Sequence, residues 1–269
     1  MSELTPVHGT DNPDRIGDVV FVHGLGGDAV AYWQSGADPE TFWPAWLATE
    51  QGFDNIAVWS LAYDAAPFAW KGEAMPLFSN ANNALDQLTL HDIGSRPLVF
   101  VTHSLGGLLV KKMMQSAIGL KTPAWQRLAH NTRGVAFIAT PHTGASLANF
   151  VGYIGWLLGA SVSVSDLRAS SIHLMELNTW YRQNVGFDAE GDLPIRSIVY
   201  YEESRTRWKW LKPLGIFVVD RASADPGIKG VVPIGIARDH RTIHKPPKRS
   251  DQVYLGVLRH LQECLLPGF

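Results

Sequence analysis

The chain has 269 residues, of which 46% are apolar, 18% charged and 10% aromatic; 23 Lys plus Arg against 25 Asp plus Glu give a formal net charge of −2. That length and apolar share suit one α/β domain with a substantial core and exclude a disordered chain, while the near-neutral balance without a basic stripe excludes nucleic acid as the main partner. The lone cysteine, Cys264, excludes an intramolecular disulfide and any multi-cysteine metal site, and fits a reducing, cytoplasmic compartment.

Met1 to Asp18 is polar and carries Asp11, Asp14 and Arg15 where a signal peptide would need an apolar stretch. Asp18-Val-Val-Phe-Val-His23 reads as a strand that ends in the turn Gly24-Leu-Gly-Gly27, and Asn55 to Ala62 reads as a second. A helix is expected over about Asn80 to His91, with Ala81, Ala84, Leu85 and Leu88 on one face. Pro97 to Thr102 is a third strand, and behind it Leu108, Leu109, Lys112 and Met113 fall at helical spacing. Arg133 to Ala139, Ile195 to Tyr201 and Val231 to Ala237 complete the strand set, and Gln252 to Leu266 reads as a closing helix. Gly134 to Ser165 lacks any charged side chain, but Pro141, His142, Asn149 and its glycines interrupt it, so a spanning helix is not expected. Apolar strands separated by helix-length connections predict a mostly parallel sheet covered by helices on both faces, in one domain.

Val101-Thr-His-Ser-Leu-Gly-Gly107 lies at a strand-to-helix junction. A sharp turn there exposes the Ser104 hydroxyl as a nucleophile and aims the Leu105 N–H at a developing oxyanion beside a helix N-terminus. Thr102 stands where the G-x-S-x-G pattern has its first glycine. The loop after the first strand offers a second oxyanion donor in the Leu25 N–H. Gly24-Leu-Gly-Gly-Asp-Ala29 also fits a dinucleotide fingerprint, but no acidic residue closes the following strand. The base is expected late in the chain: His240 in Ala237-Arg-Asp-His-Arg-Thr-Ile-His244, with His244 the rival or a surface residue. His23, His103 and His142 have simpler readings in turn hydrogen bonding or packing. For the acid that orients the base, Glu202 at a strand end is the first candidate, Asp220 the second and Asp225 the third. The paired histidines lack the Glu of H-E-x-x-H and a third ligand, so no metal is expected.

Together, Phe21-Val-His-Gly-Leu-Gly-Gly27, Thr102-His-Ser-Leu-Gly-Gly107, Ala139-Thr-Pro-His-Thr-Gly-Ala145, Tyr200-Tyr-Glu202 and Asp239-His240 resemble the lipase-like serine hydrolases of the α/β-hydrolase superfamily. The resemblance is strongest to the branch of serine-active-site-containing proteins and GPI inositol deacylase-like enzymes, and runs from about Val19 to Lys245. It implies an esterase or lipase without a cofactor, with Ser104 as nucleophile, His240 as base, Glu202 as acid, and Leu25 and Leu105 as oxyanion donors. The implied partner is an acyl ester or lipid, with a lipid surface as a candidate contact.

Residues 146–180 read as a helical cap, either fixed on the sheet or a lid over an acyl pocket. Phe150, Tyr153, Trp156 and Leu157, with Gly24 and His103, are its candidate substrate contacts. The run Thr206-Arg-Trp-Lys-Trp-Leu211 is read as a hairpin contact, with a pocket mouth or lipid surface as alternatives.

Overall fold

The computed structural model describes residues 2–63, 77–143, 150, 153, 164–186, 193–208, 212–266 and 268. Five apolar runs form the centre of the sheet: β2 (Gly17–Val22), β3 (Ile56–Ala62), β4 (Leu98–His103), β5 (Thr132–Ile138) and β6 (Arg196–Glu202). With β1 (Glu3–His8) and β9 (Ile234–Ile236) at its edges, the sheet among the described residues has seven strands in the order β1-β3-β2-β4-β5-β6-β9. The edge strand β9 (Ile234–Ile236) continues the parallel set beside β6. It is shorter than the seven residues its apolar run suggests, because only this stretch finds backbone partners on β6. The opposite edge, β1 (Glu3–His8), is antiparallel to β3 and lies in the segment the sequence marks only as polar. Pro6 sits within it, at the sheet margin where a missing N–H is tolerated.

Helices cover both faces, as uniformly apolar parallel strands require. On one face lie α1 (Leu77–Leu90), α2 (Leu105–Leu120), α3 (Pro123–Asn131) and α4 (Val164–Asn184), with α1, α3 and α4 packed on α2. Ala81, Ala84, Leu85 and Leu88 are fully buried on the inner face of α1, the face their spacing predicts. The short α5 (Arg221–Ala224) follows the β6 region, and α6 (Gln252–Leu265) packs on the other face. Because α2 is enclosed by its neighbours, the lysine buried on it is Lys111; Lys112, which the helical spacing grouped with the apolar positions, is only half-buried. The Lys111 ammonium donates to Asn178 Oδ1 of α4 at 2.6 Å, and burial holds its pKa well below the usual lysine range.

The segment after β2 carries 3-10 turns at Ala31–Trp33, Pro39–Thr41 and Trp43–Thr49. Aromatic edges hold it to the sheet: Trp33 and Trp43 meet the Phe21 ring with centroids 5.2 and 4.7 Å away. These turns leave no room for the helix that a dinucleotide fingerprint would open. The Trp-rich run forms a two-stranded antiparallel sheet, β7 (Thr206–Trp208) with β8 (Lys212–Ile216); residues 209–211 lie outside the described residues. No helix among the described residues is long and apolar enough to cross a membrane.

Candidate active site

The C-terminal ends of β2, β4, β6 and β9 converge on one site. At the end of β4, Ser104 adopts φ 53° and ψ −121°, a conformation L residues rarely hold, and α2 starts at the next residue. The Ser104 N–H donates to the Ile138 carbonyl at 2.9 Å, tying the strained turn to β5. The turn is possible because its neighbours lack side chains: a Cβ on Gly106 would collide with the Val22 and His23 carbonyl oxygens, and one on Gly107 with the Thr140 hydroxyl. Thr102 fits in place of a glycine because its hydroxyl turns away and donates to the Ala136 carbonyl at 2.9 Å.

His240 follows β9, and its Nε2 lies 3.0 Å from Ser104 Oγ. Its Nδ1 lies 2.7 Å from Glu202 Oε2 at the end of β6. The second carboxylate oxygen of Glu202 accepts from the Val218 N–H, and from the Val219 N–H at 2.9 Å. Both oxygens are therefore occupied and the carboxylate plane is fixed. The Thr206 hydroxyl accepts from the His240 N–H at 3.2 Å, so β7 steadies the histidine backbone. All three side chains are buried, with Ser104 4%, His240 1% and Glu202 1% exposed. A low-polarity surrounding strengthens each of these hydrogen bonds relative to water.

The rival acids have other tasks. Asp220 caps α5, accepting from the Ser223 N–H at 2.9 Å, and Asp225 accepts from the Gly227 N–H at 2.8 Å on the surface. Glu203, adjacent to Glu202, accepts from the Tyr201 hydroxyl at 3.2 Å. His244 is neither the partner of Ser104 nor a surface residue. It is 3% exposed, and its ring stacks on His103 with centroids 3.9 Å apart. Its loop is drawn inward because Trp43 Nε1 donates to the His244 carbonyl at 3.0 Å.

Of the oxyanion candidates, Leu105 is the first residue of α2, where a backbone N–H has no partner within the helix. The Gly24–Leu25 peptide is fixed by His23. That ring accepts from the Tyr63 N–H at Nε2 (3.3 Å), so its Nδ1 carries the proton and donates to the Gly24 carbonyl at 2.6 Å. Since a trans peptide sets carbonyl and N–H in opposite directions, this bond also fixes the Leu25 N–H. A Cβ at Gly24 would lie 3.1 Å from the Ser104 Cβ and would collide with the Tyr32 hydroxyl, so only glycine lets the loop approach the serine this closely.

His103 is enclosed by Tyr32, His240 and His244. Burial first, then the neighbouring histidines, hold its pKa well below the usual histidine range; burial does the same at His244. Tyr153 meets the His240 ring edge-on with centroids 5.1 Å apart, and Phe150 is 2% exposed. Burial pushes the Tyr153 phenol up to about 12. Trp156 and Leu157 lie outside the described residues. Tyr32 and the Val218–Val219 amides carry no signal in the sequence, since only the tertiary fold brings them here. Among the described residues no three His, Cys, Asp or Glu side chains are arranged to hold a metal ion.

A solved structure titled for carboxylesterases of the thaumarchaeon Nitrososphaera gargenis superposes with a TM-score of 0.53, covering 97% of this chain and 95% of that one at 12% identity. The chain has the α/β-hydrolase fold. Within this fold, Ser104 occupies the strand-to-helix turn after β4 and His240 the loop after β9. No family model matches the chain. Protein SERAC1 of Danio rerio is 31% identical over 284 residues, and that of Homo sapiens is 30% identical over 281 residues. Each alignment covers 97% of this chain and 41% of the relative, so the chain spans less than half the length of these relatives.

Proposed function

We propose that this protein is a serine carboxylic-ester hydrolase that works through an acyl-enzyme. One observation carries the reading: the continuous relay from Ser104 Oγ through both nitrogens of His240 to Glu202. In this mechanism His240 Nε2 takes the Ser104 proton as Oγ attacks the acyl carbon, and the Leu25 and Leu105 N–H groups receive the oxyanion. The imidazolium, stabilised by Glu202, then protonates the departing alcohol. Water, deprotonated by the same nitrogen, attacks the acyl-enzyme; the imidazolium then returns that proton to Ser104 Oγ as the acyl–Oγ bond breaks and the carboxylic acid is released. Every proton is handled by residues of the chain.

The Tyr153 ring against His240, with Phe150 also buried, supports an apolar acyl group in preference to a charged one. The same dry surroundings support a second reading, a phospholipid- or GPI-directed acyl hydrolase or acyltransferase using the same three residues. The lone thiol of Cys264 supports a reducing compartment such as the cytoplasm.

The test is a series of p-nitrophenyl esters of increasing chain length, with and without an added alcohol. Hydrolysis that rises into the medium-chain range and vanishes in Ser104→Ala is the expected result. Preferential formation of the new ester favours transfer. Purified, folded protein inert toward every ester points to an interaction module and overturns the reading.

A further inference from the structure

We propose that Tyr32 is a positioning residue for acyl transfer, its hydroxyl clamping His103, the residue before the nucleophile, against the oxyanion loop. The inference rests on the Ser104–His240–Glu202 reading and adds to it a fourth group that no sequence motif marks.

The geometry is specific. The Tyr32 hydroxyl lies 2.6 Å from His103 Nδ1, linking residues 71 apart in sequence. It sits against Gly24, where a Cβ would collide with it, and a Cβ there would also lie 3.3 Å from His103 Nδ1. Phenol, oxyanion-loop glycine and serine thus meet at one point. The Gly24 amide faces the phenol oxygen, while the His240 carbonyl favours a proton on the His103 ring. Both groups are neutral, because burial raises the phenol and lowers the imidazole. The imidazole nitrogen is the stronger base, so the phenol donates to Nδ1.

His103 needs this partner. Among the described residues the Tyr32 hydroxyl is the one side-chain group hydrogen-bonded to the His103 ring, at Nδ1. The ring lies between His240 (centroids 4.9 Å apart) and His244 (3.9 Å), and the Tyr32 ring stacks on His244 at 4.4 Å. Loss of the phenol oxygen leaves a buried nitrogen without a partner next to a serine already held at positive φ. The ring then gains freedom to rotate, and the Ser104 Oγ to His240 alignment loosens. Tyr32 acts through His103 on the reacting atoms, so the chemical step suffers and binding does not.

The experiment compares wild type, Ser104→Ala, Tyr32→Phe, His103→Asn, His103→Leu and the Tyr32→Phe/His103→Leu double variant. Each is measured for its fluorophosphonate labelling rate, and for kcat and KM on the best p-nitrophenyl ester. Tyr32→Phe and His103→Leu should each lose about tenfold or more in labelling rate and kcat, with KM within about twofold. His103→Asn, whose amide oxygen replaces Nδ1 as acceptor, should recover most of that loss. The double variant should be no worse than the weaker single, since both remove one interaction.

Labelling of Ser104→Ala would instead sink the triad reading beneath the proposal. If Ser104→Ala is unlabelled but Tyr32→Phe keeps the wild-type rate, loses only in KM, or adds fully to His103→Leu, the clamp is wrong and the triad stands. Should Tyr32→Phe fail to fold, the pair at position 103 decides. Asn as poor as Leu overturns the proposal, and Asn close to wild type supports it.

Discussion

The two ends of the same parallel sheet each bury a carboxylate, and they use it in opposite ways. At the N-terminal end, Asp18 is fully buried beside Arg15 Nε at 3.0 Å and accepts from Trp59 Nε1 at 3.0 Å; burial pushes its pKa up despite the arginine. At the C-terminal end, Glu202 is held by two backbone amides and faces an imidazole that in turn faces a hydroxyl. A guanidinium does not give up its charge at ordinary pH, so the Asp18 pair is structural, tying the preceding loop to β2 while the Trp59 bond ties β2 to β3. An imidazole exchanges its proton readily, so the Glu202 pair can take one and return it. Burial of charge alone therefore does not mark a reactive site; the chemistry of the partner does.

The largest effect expected from testing this contrast is at the nucleophile. Ser104→Ala should lower kcat by about 10⁶-fold while leaving the melting temperature close to wild type, read by ester turnover and thermal unfolding. Next comes the acid. Glu202→Gln should cost about 10³–10⁴-fold in kcat by presenting the wrong donor pattern to His240, whereas Asp220→Asn should stay within about threefold. The reverse outcome would move the orienting role to the α5 cap.

At the opposite end the effect should be on stability. Asp18→Ala removes the carboxylate acceptor of Arg15 Nε and of the Trp59 N–H, and should destabilise by about 2–4 kcal/mol in denaturant unfolding with kcat unchanged. A loss of activity in the still-folded variant would break the contrast between the two ends.

The smallest effect expected is a slope against pH. His260 is buried on α6 against Gly134, and its pKa is lowered from 6.5 to about 4. Burial lowers His103, His142 and His244 in the same direction. Between those values the unfolded chain binds more protons than the folded one. Stability is therefore full above about 6.5 and declines as the pH falls toward about 4. His260→Gln should flatten part of that decline in melting temperature, and an unchanged slope would remove His260 from the account.

Much of this arrangement is legible in the chain itself. Strands β2 to β6 announce themselves because burial on both faces demands unbroken apolar runs. The β1 edge does not, since its mixed residues need satisfy only one neighbour. The 3-10 turns after β2 show no helical period because aromatic packing of Trp33 and Trp43, rather than local propensity, holds them. Ser104 is visible because a strand-to-helix turn imposes small neighbours, and His240 because it follows the last strand. Glu202 ranks ahead of Asp220 in one dimension because it ends a long strand, but both close apolar runs and the sequence leaves both open. They separate only when β6 pairs with β9 and carries one of them to the histidine. Tyr32 and His244 join the site through contacts spanning 71 and 201 residues in sequence, which no local pattern encodes.

The most direct test of the central claim is fluorophosphonate labelling of the intact protein followed by peptide mapping. The account predicts a single adduct on the peptide containing Ser104, formed much more slowly in Glu202→Gln. A stable adduct on another residue, or an undiminished rate in Glu202→Gln, would contradict it.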